Sequence, residues 1–313
     1  MSIAFVFPGQ GAQVIGMGRD LSQAFPAAQS IFDQVDEALG ESLSALIWEG
    51  DIAELTRTRN AQPALMATSM AAMAALQAEG VAVTTASYVA GHSLGEYSAL
   101  AAAGSLTVPD TARLLRIRGE AMQDAVPEGE GAMAALLGLD LETAREVAAE
   151  AAEGAVVAAA NDNDPSQVVV SGHVHAVTRA VEIAKARGAK KAVLLPVSAP
   201  FHCALMAPAA EAMAEALSHV DLEAPAVPLV SNVAARGEKS AMIIRNNLVD
   251  QITGAVRWRE SVLWMANEGV TEIWEIGAGK ALSSMIRRID KSIATRQVGT
   301  ADQVRDAAGS LVG

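Results

Sequence analysis

Residues 91–95, Gly-His-Ser-Leu-Gly, form a G-x-S-x-G segment between a short apolar run and an alanine-rich helical pattern. Serine and glycine are weak helix formers, so packing alone does not explain them at this junction. Between a strand and a helix, such a segment is typical of a nucleophile elbow, which holds a serine hydroxyl above the sheet. It predicts Ser93 as a nucleophile and the backbone N–H of Leu94 as a donor to an oxyanion. An ordinary structural turn is the alternative interpretation.

A serine nucleophile requires a base, and the sequence offers five histidines, His92, His173, His175, His202 and His219. We expect His92 to point away from the adjacent serine and to have a structural or substrate-lining role. His173 and His175 begin a predicted helix, and His219 ends one, where a histidine complements the helix dipole. His202 lies in the segment VSAPFHCAL, where two predicted domains meet and a cleft is expected. We therefore predict His202 as the base.

The elements that must position these residues alternate between strands and helices. Apolar runs predict strands at 3–7, 86–90 and 271–276, with helical patterns at about 18–80, 94–103, 109–125, 202–218, 240–250, 258–267 and from 280. This alternation is typical of a parallel sheet covered by helices. We predict an α/β fold, with a large α/β-hydrolase-like domain formed by residues 1–126 and 199–313.

A different order occupies the middle of the chain. Strands at 131–138, 155–160, 167–171 and 191–196 alternate with helices at 141–153 and 173–187, in the order β-α-β-β-α-β. The flanking segments DAVPEGEG and SAPFH are rich in turn residues, as domain junctions usually are. We expect residues 127–198 to form a small inserted ferredoxin-like α+β subdomain.

Composition limits the class of protein. The chain has 313 residues, 51% hydrophobic residues and a net charge of -13, with a sequence pI near 4.8. This acidity argues against nucleic acid or an anionic membrane as a partner. The single cysteine, Cys203, argues against an internal disulfide and a cysteine-built metal site. No signal peptide or membrane-spanning segment is evident, so we expect a cytoplasmic protein with no bound metal.

Several further segments carry a family resemblance. They are FPGQGAQ at 7–13, GHSLGEYSAL at 91–100, RG at 118–119, AAND at 159–162, PFHCALM at 200–206, VSNV at 230–233, LVDQI at 248–252 and VRW at 256–258. In this order they resemble the malonyl-CoA:acyl carrier protein transacylases, relatives of the acyltransferase domains of polyketide synthases. The resemblance runs from residue 5 to about residue 282.

The resemblance implies a role for each matching residue. Ser93 would be acylated and His202 would be its base. The backbone N–H groups of Gln10 and Leu94 would form the oxyanion hole. The main-chain carbonyl of Gln251, in place of a carboxylate, would orient the histidine.

The resemblance also implies how the substrate is held. Arg118 would bind the malonyl carboxylate through two parallel hydrogen bonds, which lysine could not reproduce. Gln62, His92 and Asn161 match polar positions near the family's site. Phe201 precedes the base, as in relatives that select malonyl over methylmalonyl groups.

The implied reaction is a ping-pong transfer. Malonyl-CoA would acylate Ser93, and the phosphopantetheine thiol of an acyl carrier protein would then take the malonyl group, in fatty-acid biosynthesis and with no cofactor bound to the enzyme. A stand-alone polyketide acyltransferase, a malonate decarboxylase subunit, a serine hydrolase and a non-catalytic docking subunit remain alternatives. Because carrier proteins are acidic, we also expect a basic patch near the cleft, with candidates Arg57, Arg59, Arg187, Lys190, Lys191, Arg287 and Arg288.

Overall fold

The computed structural model of the protein describes residues 2–197 and 199–311. Its strands are β1 (Ile3–Phe7), β2 (Tyr88–Gly91), β3 (Gly131–Leu137), β4 (Val157–Asp164), β5 (Gln167–His173), β6 (Lys191–Leu194), β7 (Leu229–Val230), β8 (Gly237–Glu238), β9 (Glu272–Ile276) and β10 (Ala294–Val298).

The α-helices lie between and around these strands. They are α1 (Arg19–Ala24), α2 (Pro26–Leu39), α3 (Leu43–Glu49), α4 (Ile52–Thr56), α5 (Thr58–Ala78), α6 (Gly95–Ala102), α7 (Val108–Asp124), α8 (Leu141–Ala152), α9 (Val174–Ala186), α10 (Ala207–Ser218), α11 (Ala241–Thr253), α12 (Trp258–Asn267), α13 (Ala281–Ile289) and α14 (Ala301–Gly309). None of these helices is both long and apolar enough to cross a membrane.

The larger sheet has the strand order β10-β9-β1-β2-β7-β8. Every neighbouring pair is parallel except β7 and β8. The central strand β1 pairs with β2 on one side and with β9 on the other, so Phe7 lies opposite Gly91 at the carboxyl ends. Because parallel strands end at the same edge, the loops after β1 and β2 meet there. These loops carry Gln10 and Ser93.

Both faces of the large sheet are buried under helices. Side chains alternate along β1, so that Phe5 and Phe7 enter one core cluster and Ala4 and Val6 enter the other. Helix α5, buried along most of its length, packs against α2 and α7 on the first face. An apolar strand covered on both faces is typical of a parallel sheet. This packing fixes the edge from which the site residues project.

The second sheet is antiparallel, with the strand order β4-β5-β3-β6. Helices α8 and α9 pack together and share a separate core cluster with this sheet. The predicted β-α-β-β-α-β order is confirmed as β3, α8, β4, β5, α9 and β6. The protein is thus a mixed α/β structure with two distinct sheets.

Strand β4 joins the second sheet to the rest of the molecule. The backbone N–H of Asp162 donates to the carbonyl of Val256 (2.9 Å), and that of Val256 donates to Ala160 (2.8 Å). The carboxylate of Asp162 pairs with Arg259 at 2.9 Å. The carboxylate of Asp164 pairs with Arg288 at 2.7 Å. These contacts connect β4 to α12 and α13.

The structure corrects the sequence prediction in two places. First, the helix predicted over 202–218 begins at Ala207, after a 3-10 turn at Ala204–Met206, because His202 has φ 58° and Cys203 is extended. Second, strands β7, β8 and β10 and helix α14 were not predicted. Strands β7 and β8 have two residues each, too few to show a period, and β10 has the mixed sequence ATRQV.

Candidate active site

Ser93 stands on a sharp turn between β2 and α6, as the elbow prediction requires. Its φ is 54°, an uncommon backbone conformation for a residue with a side chain. A Cβ on Gly91 would lie 1.9 Å from the Gly95 carbonyl, and a Cβ on Gly95 would lie 2.2 Å from the carbonyl oxygen of Phe7. Both flanking glycines are therefore required for the turn to close against the neighbouring backbone.

Ser93 and His202 are brought together across 109 residues of sequence. The Ser93 Oγ lies 2.7 Å from the His202 Nε2, and the His202 Nδ1 lies 2.8 Å from the main-chain oxygen of Gln251. A carbonyl only accepts hydrogen bonds, so Nδ1 carries the proton and Nε2 is free to accept one from the serine. The arrangement suits a nucleophile with its general base.

Asn232 holds the turn at Ser93 in place through two hydrogen bonds. Its side-chain oxygen accepts a hydrogen bond from the Ser93 N–H at 2.8 Å, and its amide nitrogen donates to the Gly91 carbonyl at 2.6 Å. Asn232 is fully buried on the loop after β7. Its two hydrogen bonds hold the backbone on either side of His92, so the strained serine conformation is held by the surrounding structure.

The side chain of Arg118, which lies on α7, extends to the Ser93 hydroxyl. Its Nη2 donates to the Ser93 Oγ (3.1 Å) and to the Gln251 Oε1 (2.8 Å), while Nη1 donates to the Gln62 Oε1 (2.8 Å). Its guanidinium also lies over the Tyr97 ring, 5.6 Å from the centroid. The side chain is only 1% exposed, so this is a buried cation beside the nucleophile. Such a group can recognise a carboxylate with geometric specificity.

Two backbone N–H groups border the cleft near Ser93. These belong to Gln10 and Leu94, and neither donates a hydrogen bond within the described parts of the chain. The two loops are in close contact, since a Cβ on Gly9 would lie 2.7 Å from the His92 carbonyl oxygen. Leu94 also immediately precedes α6, whose dipole is positive at this end. Both groups are suited to donate hydrogen bonds to a developing oxyanion.

A cleft of about 510 Å³ opens over the serine. Among its lining residues are Gln62, His92, Asn161 and Phe201, the four predicted from the resemblance as substrate-lining. The His92 Nε2 lies 2.8 Å from the Asn163 Oδ1, which links the elbow to β4. The cleft thus lies between the two sheets, as expected for the position of His202.

Burial controls the protonation of the site. Burial, followed by the charge of Arg118, lowers the pKa of His202 to about 3. Burial also lowers the pKa of His92, against an opposing hydrogen bond to Asn163. His202 is therefore neutral in the empty site at neutral pH, the form in which it accepts a proton.

The structure brings all ten predicted site residues into one region, although Gln251 lies behind the dyad and does not line the cleft. Sequence reasoning assigned no role to Asn232 or Glu96, both fully buried in the same network. Both lie in segments that carry the resemblance, VSNV and GHSLGEYSAL. Their place in these segments was the available signal.

Comparisons with known proteins agree with this geometry. Residues 4–302 match the family model described as the acyl transferase domain. The malonyl CoA-acyl carrier protein transacylase of Bacillus subtilis (strain 168) is 46% identical over 310 residues, which cover 99% of this chain and 97% of that protein.

Two solved structures extend the comparison. The acyl-carrier-protein-S-malonyltransferase from Bartonella henselae has a TM-score of 0.98 and 52% identity, with 100% of both chains covered. A malonyl-transacylase in complex with a type II PKS acyl-carrier protein has a TM-score of 0.96 and 42% identity, covering 99% of this chain and 100% of that chain. With its elbow serine, histidine and buried arginine in one cleft, this chain belongs to the acyl transferase domain family.

Proposed function

We propose that this enzyme transfers the malonyl group of malonyl-CoA to the phosphopantetheine thiol of acyl carrier protein, in fatty-acid biosynthesis. The observation that carries this proposal is the buried Arg118 within 3.1 Å of the Ser93 hydroxyl. A simple ester hydrolase has no need of a buried cation at its nucleophile. A substrate whose acyl group ends in a carboxylate does need one.

In the first half-reaction, Ser93 attacks the malonyl thioester. The Ser93 Oγ–H gives its proton to the His202 Nε2 while Oγ bonds to the thioester carbon. The N–H groups of Gln10 and Leu94 hold the resulting oxyanion. The carbon–sulfur bond then breaks, and the CoA thiolate takes the proton from His202. The products are malonyl-Ser93 and CoA.

The second half-reaction reverses these roles. The carrier thiol gives its proton to His202, and its sulfur bonds to the ester carbon of malonyl-Ser93. The carbon–oxygen bond breaks, and Ser93 recovers the proton from His202. No metal or bound cofactor enters either step, since these residues move every proton and hold the charge, and the phosphopantetheine arrives on the carrier.

The substrate carboxylate also affects the base. Part of the lowering of the pKa of His202 comes from the charge of Arg118. A malonyl carboxylate held by Arg118 offsets that charge and moves the pKa of His202 upward, towards the range of a useful base. Binding of the correct acyl group thus prepares the histidine for proton transfer.

We also propose a division of the chain into two structural units. We take residues 1–126 and 199–313 as an α/β-hydrolase-like domain and residues 127–198 as an inserted ferredoxin-like subdomain. The core cluster that α8 and α9 share with one face of the second sheet supports this division, and the other face of that sheet packs into the large core. The inserted subdomain forms one wall of the cleft and restricts the access of water to malonyl-Ser93. The cytoplasmic location stays a prediction of the sequence.

Carrier-protein docking is proposed for the basic residues that the sequence analysis singled out. Four of the seven candidates form ion pairs within the described residues, namely Arg57, Arg59, Arg187 and Arg288. Lys190, Lys191 and Arg287 have no ion pair there and are the better candidates. Reversing these three charges should raise the KM for carrier protein and weaken its salt dependence, with the KM for malonyl-CoA unchanged.

The function is tested by intact mass measurement. Wild-type protein and Ser93→Ala are incubated briefly with malonyl-CoA, and reduced carrier protein is then added. The expected result is a malonyl adduct on wild type alone, which then moves to the carrier. Ser98→Ala, a buried serine on α6, is the matched control and should still form the adduct.

The alternatives predict different masses and products. A hydrolase would consume malonyl-CoA to free malonate without carrier protein. A docking subunit would form no adduct, and Ser93→Ala would behave as wild type. Either result would contradict the proposed function.

A further inference from the structure

The buried charge of Arg118 has no direct counter-charge. Within the described residues, Arg118 forms no ion pair with a carboxylate, and its Nε has no hydrogen-bond partner. The hydrogen-bond partners of Nη1 and Nη2 are the neutral side chains of Gln62, Gln251 and Ser93. A buried cation is costly unless an opposite charge lies near it.

A buried carboxylate lies on the far side of Gln251. Glu96, in the first turn of α6, is 0% exposed. Its Oε2 accepts hydrogen bonds from the Gln251 Nε2 (2.6 Å) and the Asn232 N–H (3.3 Å). Its Oε1 has no hydrogen-bond partner among the described residues. One oxygen is therefore held in the network, and the other is available to carry a proton.

Gln251 connects the two charges. Its Oε1 accepts from Arg118 at 2.8 Å, its Nε2 donates to Glu96, and its main-chain oxygen faces His202. An amide aligned between an acceptor and a cation relays the attraction between them. We propose that Glu96 is a positioning residue that balances Arg118 through Gln251 while the cleft is empty, and takes up a proton when the malonyl carboxylate binds Arg118.

The physical basis is competition between two carboxylates for one cation. With the cleft empty, the charge of Arg118 favours ionised Glu96. A bound malonyl carboxylate neutralises Arg118 and brings a second negative charge close to Glu96. One buried cation cannot balance both anions in a region of low dielectric, so Glu96 becomes neutral by protonation at Oε1.

The titration range of Glu96 makes this uptake measurable. Burial raises the pKa of Glu96 to about 7, against its hydrogen bonds and the charge of Arg118. The other titratable groups at the site are Tyr97, whose pKa burial raises further, and His202 and His92, whose pKa values burial lowers. Burial therefore moves the pKa values of these three groups away from neutrality, whereas Glu96 titrates close to it.

The test is calorimetric and rests on the proposed malonyl transfer. Ser93→Ala protein, which cannot be acylated, is titrated with malonyl-CoA and with acetyl-CoA in buffers of different ionisation enthalpy. Acetyl-CoA has the same CoA phosphates but no acyl carboxylate, so the difference between the ligands isolates the carboxylate. The expected difference is an uptake of roughly half to three quarters of a proton per site at about pH 7.5.

The paired variant is Ser93→Ala with Glu96→Gln, which keeps the size of the side chain and removes its titration. It should bind both ligands with the same proton count. The matched control adds Glu275→Gln instead, since Glu275 is a second fully buried carboxylate, held by the N–H groups of Leu282 (3.0 Å) and Ser283 (2.7 Å). This control should keep the full proton uptake.

Each outcome separates the inference from the proposed function. Failure of malonyl-CoA to bind Ser93→Ala in any buffer would count against malonyl transfer itself. Binding with equal proton counts for both ligands would overturn the role of Glu96 and leave the transfer standing. Uptake that persists in the Glu96→Gln protein would assign the proton elsewhere and also overturn the inference. If Glu96→Gln does not fold, the pH dependence of the uptake by Ser93→Ala decides: a maximum near or above pH 7 supports Glu96, whereas a maximum only well below pH 7 assigns the proton to His202 and overturns the inference.

Discussion

The two walls of the cleft are built differently. On the wall from the large sheet, Ser93, Arg118 and Gln251 are joined by hydrogen bonds of 2.8–3.1 Å. On the opposite wall, the inserted strands contribute two apolar side chains, Met133 and Val169, and the amide side chains of Asn161, Asn163 and Gln167. The first wall holds the groups that we propose to react, and the second closes the cleft on the other side.

The two walls also differ in how they are anchored. The nucleophile is fixed by backbone strain, two required glycines and the buried Asn232. The inserted sheet is joined through backbone hydrogen bonds at β4, the His92–Asn163 hydrogen bond and two ion pairs whose arginines are partly exposed. Its inner face also packs into the large core cluster through side chains such as Met133 and Val169. We infer that the proposed chemistry is preorganised on the first wall, and we expect small movements of the second wall to affect the dyad less than changes in the first.

The strongest test of the preorganised wall is His202→Ala. Loss of the base should lower the rate of Ser93 acylation by about 10,000-fold, because the hydroxyl then lacks a proton acceptor. Stopped-flow release of CoA measures this rate. His219→Ala is the control, since this side chain is 72% exposed, and it should acylate at the wild-type rate. A loss of less than tenfold in His202→Ala would show that the reaction does not depend on the dyad.

Arg118→Ala tests whether that wall also selects the acyl group. Loss of the guanidinium should lower kcat/KM for malonyl-CoA by about 1,000-fold, which corresponds to about 4 kcal/mol of transition-state stabilisation. It should also reduce the preference of the enzyme for malonyl-CoA over acetyl-CoA. Arg113→Ala on the same helix, where the side chain is 54% exposed, should leave both values unchanged. An equal fall for both substrates would assign Arg118 to folding of the site rather than to recognition.

The sequence predicted the reacting residues of the preorganised wall more fully than the residues that hold them in place. The elbow was predictable because Gly91 and Gly95 flank a serine at a strand-to-helix junction, a local pattern with one mechanical reason. The choice of His202 followed from its place between two predicted domains. Arg118 and Gln251 came from the resemblance alone, since each lies on a helix with nothing local to mark it.

The features that the sequence did not predict depend on contacts between residues that are distant in sequence. Asn232 and Ser93 are 139 residues apart, so no local pattern connects them. Strand β10 is an edge strand of mixed polarity and gives no period-two signal. Glu96 could not be recognised as part of the site from local sequence, because its partners Asn232 and Gln251 lie 136 and 155 residues away.

The buried carboxylate also predicts a pH dependence of stability. Burial raises the pKa of Glu96 from 4.5 to about 7, so between these values the folded protein holds a proton that the unfolded chain releases. Its contribution is therefore fully present below about pH 4.5 and is lost as the pH rises through 7. From about pH 4.5 to 8, wild type should lose about 3 kcal/mol of unfolding free energy relative to Glu96→Gln.

Urea unfolding of both proteins across this pH range measures the difference. The lowered pKa of His202 changes the stability in the opposite direction, since stability is lost as the pH falls from about 6.5 towards 3. Because both proteins contain His202, that contribution cancels in the comparison. A difference that stays constant with pH would mean that Glu96 does not change protonation in this window.

The smallest expected effect concerns the wall of the cleft that the inserted sheet forms. Asp164 is fully buried, whereas Arg288 is 46% exposed, so Asp164→Asn weakens one of the two pairs without leaving an unpaired charge deep inside. We expect a loss of about 1 kcal/mol of unfolding free energy, because the pair is partly screened by solvent. The acylation rate should stay within about threefold of wild type, since the dyad lies on the other wall.

The informative readout for Asp164→Asn is the lifetime of malonyl-Ser93 without carrier protein. A looser wall admits water, so hydrolysis of the ester should rise several-fold while transfer to carrier protein is nearly unchanged. Asp302→Asn removes a pair whose carboxylate side chain is 94% exposed and should alter neither rate. If Asp164→Asn instead slowed acylation as strongly as hydrolysis rose, the two walls would be coupled, and the inserted sheet would contribute to the positioning of Ser93 itself.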